Sequence, residues 1–145
     1  MASASVLATN LDEHMLLSRS VHIFPSTTSN AELESNRKQG KQVTEEIGGR
    51  LLLRYLLGSQ TRVFGAGSAD RHFVTPTPYA PEDTVPFLAL PRPASKREFV
   101  ILLRPEEINW ILGPRWILGG LGIEYILPEG FPRSALLFPW EFKIA

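Results

Sequence analysis

The stretch that decides the reading is Gly119-Gly120-Leu121-Gly122-Ile123-Glu124-Tyr125-Ile126-Leu127-Pro128. Three glycines in four positions make a backbone that turns sharply and lets a ligand come close. The apolar run behind them is rich in β-branched and aromatic residues, which suits a strand. Side chains alternate across a strand, so Glu124 points away from the side taken by Ile123 and Tyr125. With those two in the core, Glu124 faces a cleft or solvent. A carboxylate at the mouth of a glycine turn suits stabilisation of a cation or handling of a proton. The plainer alternative is an edge-strand glutamate in water.

Working outward from that strand, Arg115-Trp116-Ile117-Leu118 reads as a strand entering the glycine turn. Beyond it, Ala135 to Phe138 and Glu141 to Ile144 are placed to close a sheet. Residues 98–103 form the clearest strand, a continuous apolar run expected to be central and covered on both faces. Pro105-Glu106-Glu107-Ile108 resembles a helix start, with proline at the first position and acids in the first turn. Phe87-Leu88-Ala89-Leu90 lies between two prolines, and Tyr79 to Asp83 is a turn. His72-Phe73-Val74-Thr75 and Thr61-Arg62-Val63-Phe64 read as two further strands. Before them a helical period runs through Val43, Ile47, Leu51 and Tyr55, widened by Leu52 and Leu56, and predicts a helix over 42–57. Gly48-Gly49 weakens its middle by about 1 kcal/mol per glycine. Residues 1–40 are mixed and polar, with a short strand expected at Val21-His22-Ile23-Phe24, and read as a leader ahead of a domain over 41–145. The class is α+β: an N-terminal helix, then a compact, mostly antiparallel β-sheet core.

A chain of 145 residues with 43% hydrophobic content is the size of one domain with a real core. Its 12 prolines and 11 glycines predict short elements and turn-rich connections. Fifteen basic residues balance fifteen acidic ones, which points away from nucleic acid and from anionic membranes. Without cysteine there are no disulfides, thiolate metal sites or cysteine nucleophile. No apolar run reaches the roughly 20 residues that span a bilayer, and the start lacks the pattern of a signal peptide. His14 and His22 have no metal-ligand spacing and are read as structural or exposed.

Three polar positions stand at strand ends: Arg62, Thr75 and Glu124. Each has a plain reading, as a surface arginine, as a hydroxyl serving the turn at Pro76, and as a solvated glutamate. Taken in order, arginine, hydroxyl and late carboxylate are what a site needs to hold a phosphorylated ligand and cleave at a sugar.

The motifs Thr61-Arg62-Val63-Phe64-Gly65, His72-Phe73-Val74-Thr75-Pro76, Tyr79, Leu88-Ala89-Leu90-Pro91, Glu98-Phe99-Val100 and Gly119-Gly120-Leu121-Gly122-Ile123-Glu124-Tyr125 occur in that order. Over about residues 50–130 the chain resembles the tuberculosis-necrotizing-toxin type of NAD glycohydrolase domain, a relative of the ADP-ribosyltransferases. The resemblance implies an ADP-ribosyltransferase-like core. It implies that NAD is a substrate rather than a bound cofactor, with Arg62 on its phosphates, Thr75 on the nicotinamide side and Glu124 where the family has its catalytic glutamine. Tyr79 is the implied stacking residue, and Gly120 and Gly122 let the ligand approach. Domains of this type are commonly toxin modules, delivered into a target cell and blocked by a cognate immunity protein.

Two departures stand out. The family's arginine before its Ala-Leu-Pro segment is missing, with Arg92 just after it as a substitute. Glutamate replaces glutamine, which is the choice of transferases, yet Gly122 stands where arginine-directed transferases carry a second glutamate. That favours hydrolysis, or transfer to another acceptor. The residue types suit the chemistry: a carboxylate stabilises a ribosyl cation, and arginine clamps pyrophosphate. Phe73, Tyr79 and Trp116 offer rings to the nicotinamide, with core packing the competing role and the favoured one for Phe73.

Two other classes compete. A ribonuclease toxin would use His72 as acid, Glu124 as base and Arg62 or Arg71 on the phosphate. A non-catalytic module would present Trp110, Trp116 and Trp140 as a protein-contact surface.

Overall fold

A computed structural model describes residues 17, 21–56, 67–90, 99–119 and 122–137. It is a small mixed α+β protein with few helices and antiparallel sheets.

Helix α1 (Asn30–Ser35) starts at Ser29, whose hydroxyl accepts from the Glu32 amide at 3.1 Å. Its one buried side chain, Leu33, packs with Leu112 and Ile126 and stabilises the contact by roughly 2 kcal/mol. Phe24 forms a bridge to Arg115, its amide donating to the Pro114 carbonyl at 2.8 Å. Residues 21–40 are therefore built onto the sheet, and the expected strand at 21–24 is a single bridge.

Helix α2 (Gly40–Glu46) buries Val43 and Glu46. The expectation of one helix over 42–57 is corrected here. Gly48 and Gly49 both take positive φ, +64° and +76°, which turns the chain out of the helix. The leucines beyond them enter strand β1 (Leu52–Leu56). Spacing by four fitted both halves, but Leu52 and Leu56 are also two strand residues of the same parity, and both are fully buried.

The central sheet has the order β3 (His72–Val74), β6 (Ile123–Leu127), β5 (Leu112–Trp116), all antiparallel. Strand β1 pairs with β4 (Phe99–Leu103) and reaches β3 through the Leu53–Thr75 bridge, closed by two backbone hydrogen bonds of 2.8 and 2.9 Å. A short pair, β2 (Gly67–Ser68) with β7 (Phe131–Pro132), sits beside it. The middle position expected for 98–103 belongs to β6, which has a strand on each side. Strand β4 lies towards one end, with Ile101 and Leu103 buried and Val100 and Leu102 half-buried. An apolar run reports burial and not sheet order, so a strand dry on one face and half-covered on the other reads the same way.

Residues 81–83 form a turn of 3-10 helix leading into helix α3 (Thr84–Leu88). The helix start expected at Pro105 is a single 3-10 turn, Pro105–Glu107. The expected strands at 61–64 and 141–144 lie outside the described residues.

Candidate functional site

The alternation expected of β6 holds. Ile123 and Tyr125 are fully buried in the main core, and Glu124 lies on the opposite face, half-buried. Register places Arg115 of β5 directly across from it. The Arg115 Nε donates to Glu124 Oε2 at 3.1 Å, and its Nη1 donates to the Thr28 carbonyl at 2.9 Å. Gly113 makes this approach possible. It has φ +106°, and a Cβ there would sit 2.9 Å from the Glu124 carbonyl oxygen.

Glu124 opens onto a cavity of about 450 Å³, a volume in the ordinary range for ligand sites. Thr75 and Phe73 line it from the β3 side, Leu53, Arg54 and Tyr55 from β1, and Leu88 to Leu90 from the end of α3. Three expected site residues, Thr75, Phe73 and Glu124, thus share one cavity. Thr75 is almost wholly buried, and its Oγ1 accepts from the Thr77 amide at 3.4 Å, so the turn role at Pro76 and the cavity position coexist. Arg54 closes one wall, its guanidinium donating to the Phe73 carbonyl at 3.1 Å.

Burial pushes the Glu124 carboxyl above its usual range; the charge and hydrogen bond of Arg115, then the charge of Arg71, act the other way. The Tyr55 phenol is pushed up to about 12 by burial and stays neutral at any ordinary pH.

The aromatic assignments are redistributed. Phe73, offered to the ligand but with core packing favoured, is 45% exposed and lines the cavity. Trp116, expected to stack on a ligand, pairs with Ile123 and packs against the main core on the far face. Strand parity decides both: Trp116 follows Arg115 and must point oppositely, while Phe73 stands between buried His72 and Val74. Tyr79 stacks on Phe87 with ring centroids 5.5 Å apart, and Tyr55 takes its place at the cavity wall. Gly122 is buried, its amide donating to the Phe87 carbonyl and its carbonyl accepting from Ile117, both at 3.0 Å. It fastens the glycine turn to α3. Arg62, Arg92 and Gly120 lie outside the described residues.

The constellation of the ribonuclease reading is not assembled. His72 pairs with Leu127 on the core face, whereas Glu124 is on the other. Burial, aided by the charge of Arg54 and opposed by Asp70, lowers the His72 pKa to about 4, so the ring is neutral at pH 7 and a poor acid. Of the tryptophans offered as a contact surface, Trp110 and Trp116 are both half-buried, the first under the Arg37 guanidinium at 4.7 Å. Trp140 lies outside the described residues.

A larger cavity, about 600 Å³, lies between residues 21–24 and α2, lined by His22, Arg37, Lys38, Glu45 and Glu46 among others. None of the expected site residues among those described lines it, and chemistry therefore assigns the smaller cavity.

Sequence reading missed Arg115 and Arg54. The signal for Arg115 was present: the strands read on either side of the glycine-rich stretch 119–122 form a hairpin in which residues 115 and 124 stand opposite one another. Arg54 was hidden by the helical reading of β1. Among the described residues no helix is long and apolar enough to cross a membrane, and no three His, Asp or Glu side chains are grouped to hold a metal ion. Comparisons with protein families, with curated proteins and with solved structures find no match for this chain.

Proposed function

We propose that the chain is a NAD glycohydrolase of the ADP-ribosyltransferase-like type, cleaving NAD to nicotinamide and ADP-ribose. The observation that supports this reading most is the Glu124 carboxylate on the wall of an otherwise mainly apolar cavity, beside Thr75 and the exposed ring of Phe73. The order of motifs from residue 61 to residue 125 supports it from the sequence side.

The cavity takes the nicotinamide riboside end of the dinucleotide. The bond between the ribose C1′ and the nicotinamide nitrogen breaks, and the electron pair leaves with nicotinamide, which departs neutral. Glu124, ionised, faces the ribosyl cation left behind and lowers the cost of its charge in a site of low polarity. Water adds to C1′ and gives up a proton, with Glu124 as the acceptor in reach. Phe73 covers the nicotinamide ring, Thr75 donates to its carboxamide, and Arg62 and Arg92 hold the pyrophosphate. The physiological setting that follows is a toxin delivered to a target cell, and a small immunity protein that blocks this cavity.

The test is release of nicotinamide from NAD by the purified chain. Glu124→Ala is expected to lower turnover by on the order of 100-fold or more. Glu124→Gln is expected to keep part of the activity if a polar contact to the ribose suffices, and to match Ala if ionisation is required. Macromolecules labelled from NAD in a cell lysate would mark a transferase instead, and cleavage of RNA without loss of NAD would overturn the reading.

A further inference from the structure

Glu124 stands in surroundings that disfavour its charge, among Leu53, Leu88, Ile117 and other apolar groups. Buried carboxylates of this kind drift to the neutral form, or swing towards water, unless something holds them. One side chain is built to do that. Arg115 is 13% exposed at its side chain and Glu124 is 12% exposed, and their contact is 3.1 Å. The guanidinium is itself fixed, by the Thr28 carbonyl at 2.9 Å and the Asn30 Oδ1 at 3.5 Å. It therefore joins three segments of the chain: the loop before α1, strand β5 and strand β6.

We infer that Arg115 is a positioning residue for Glu124, fixing its carboxylate on the cavity wall and tying that position to the N-terminal segment through Thr28. Only Oε2 is engaged by Arg115, which leaves Oε1 to face a bound molecule. The fork geometry matters. Nε serves the carboxylate while Nη1 serves the backbone, two directions at once that a lysine ammonium on a flexible stem reproduces poorly. The inference rests on the reading of Glu124 as the working carboxylate, and it adds that residues 21–40 are part of the site and not a dispensable leader.

The charged groups facing Glu124 are Arg115 from β5, Arg71 ahead of β3 and Arg54 from β1 across the cavity. The end of α3 contributes Leu88, Ala89 and Leu90, none of them charged, and α1 contributes the neutral amide of Asn30. Arg115 is the only one of these in hydrogen-bond contact with the carboxylate.

The experiment reads the carboxyl directly. Carbon-13 NMR of protein labelled at glutamate side chains follows the titration of Glu124, assigned with Glu124→Gln, in wild type, Arg115→Gln and Arg115→Lys. The Glu124 midpoint is expected to rise by about one unit or more in Arg115→Gln and by less in Arg115→Lys. An unchanged midpoint in Arg115→Gln, with the fold intact by circular dichroism, overturns the inference. If Arg115→Gln does not fold, Arg115→Lys decides: a raised midpoint supports the inference and an unchanged one overturns it. This readout needs no substrate, so absence of NAD cleavage would sink the function while leaving the positioning role standing or falling on its own. Where NAD is cleaved, the acid limb of kcat should move with the NMR midpoint while KM changes little. A role in folding alone would lower the melting temperature without moving that limb.

Discussion

Two ion pairs flank strand β6, one on each face, and they are built for different work. On the core face the Glu46 carboxylate is closed: Lys38 Nζ binds Oε2 at 2.6 Å and the Tyr125 hydroxyl donates to Oε1 at 2.8 Å. On the other face the Glu124 carboxylate is held through one oxygen by Arg115. Both pairs are nearly dry, with side-chain exposures of 13% and 9% for the first and 13% and 12% for the second. Burial alone therefore does not separate a structural pair from the one proposed to work. What separates them is whether both oxygens are engaged, and the chain puts Tyr125 and Glu124 next to each other so that one strand serves both purposes.

That contrast breaks first at Glu46. Glu46→Ala leaves the Lys38 charge and the Tyr125 hydroxyl without their acceptor, and is expected to cost about 3–5 kcal/mol. Glu124→Ala is expected to cost clearly less stability while losing the proposed activity, because Arg115 keeps its bond to Thr28 and solvent reaches the cavity. Urea melts of the two variants test this directly. A larger loss at Glu124 than at Glu46 would reverse the assignment of the two pairs.

Gly113→Ala sharpens it from the backbone side. The new Cβ would crowd the Glu124 carbonyl at 2.9 Å in a backbone region that side chains rarely adopt. A cost of roughly 2–3 kcal/mol is expected, together with lower turnover at unchanged gross fold. Wild-type stability in this variant would mean that the approach of β5 to β6 is looser than the register implies.

Tyr125→Phe removes one hydroxyl on the core face and leaves a carboxylate oxygen short of a donor. About 1–3 kcal/mol of stability should go, with the proposed NAD cleavage unaffected. A fall in kcat comparable to that of Glu124→Ala would show that the two faces are coupled through the strand.

A further expected effect is in the pH dependence of stability. His72 has its pKa lowered from 6.5 to about 4, chiefly by burial. The folded state therefore resists protonation. The stability it contributes is present above pH 6.5 and is lost as pH falls towards 4. Replacement of His72 by a group that does not titrate, such as Gln, should flatten the loss over that interval, as read from melting temperatures at successive pH values. A slope identical to wild type would mean that other groups govern acid unfolding.

Much of the candidate site was legible before any fold was known. Glycines followed by Ile-Glu-Tyr implied a turn, then a strand with Glu124 on the side away from Ile123 and Tyr125, and His72-Phe73-Val74 announced its neighbour. These are local matters: turn chemistry, strand propensity and a period of two belong to a few consecutive residues. Phe73 shows where such reasoning stops. A phenylalanine between two buried residues has a known parity, but nothing local says which face of the sheet receives a second layer. The helix over 42–57 failed for a related reason. Leucines spaced by four fit a helix and a strand alike, and the choice went to Gly48-Gly49 and to the partner strand β4, which is some fifty residues away in sequence.

By itself, then, the sequence determined the α+β class, the turn-and-strand at Glu124, the absence of disulfide chemistry and the identity of a small set of polar side chains. Tertiary structure decided which of those side chains meet. It put Arg115 against Glu124, Thr75 in the same cavity, Trp116 against the core and His72 on the wrong face for Glu124. The physical reason is that register and layer order are set by contacts between distant segments, here by Leu33 and Phe24 covering β5 and β6 and by the Leu53–Thr75 bridge joining the sheets. Contacts of that kind depend on the free energy of the whole packed unit, and no window of neighbouring residues contains it.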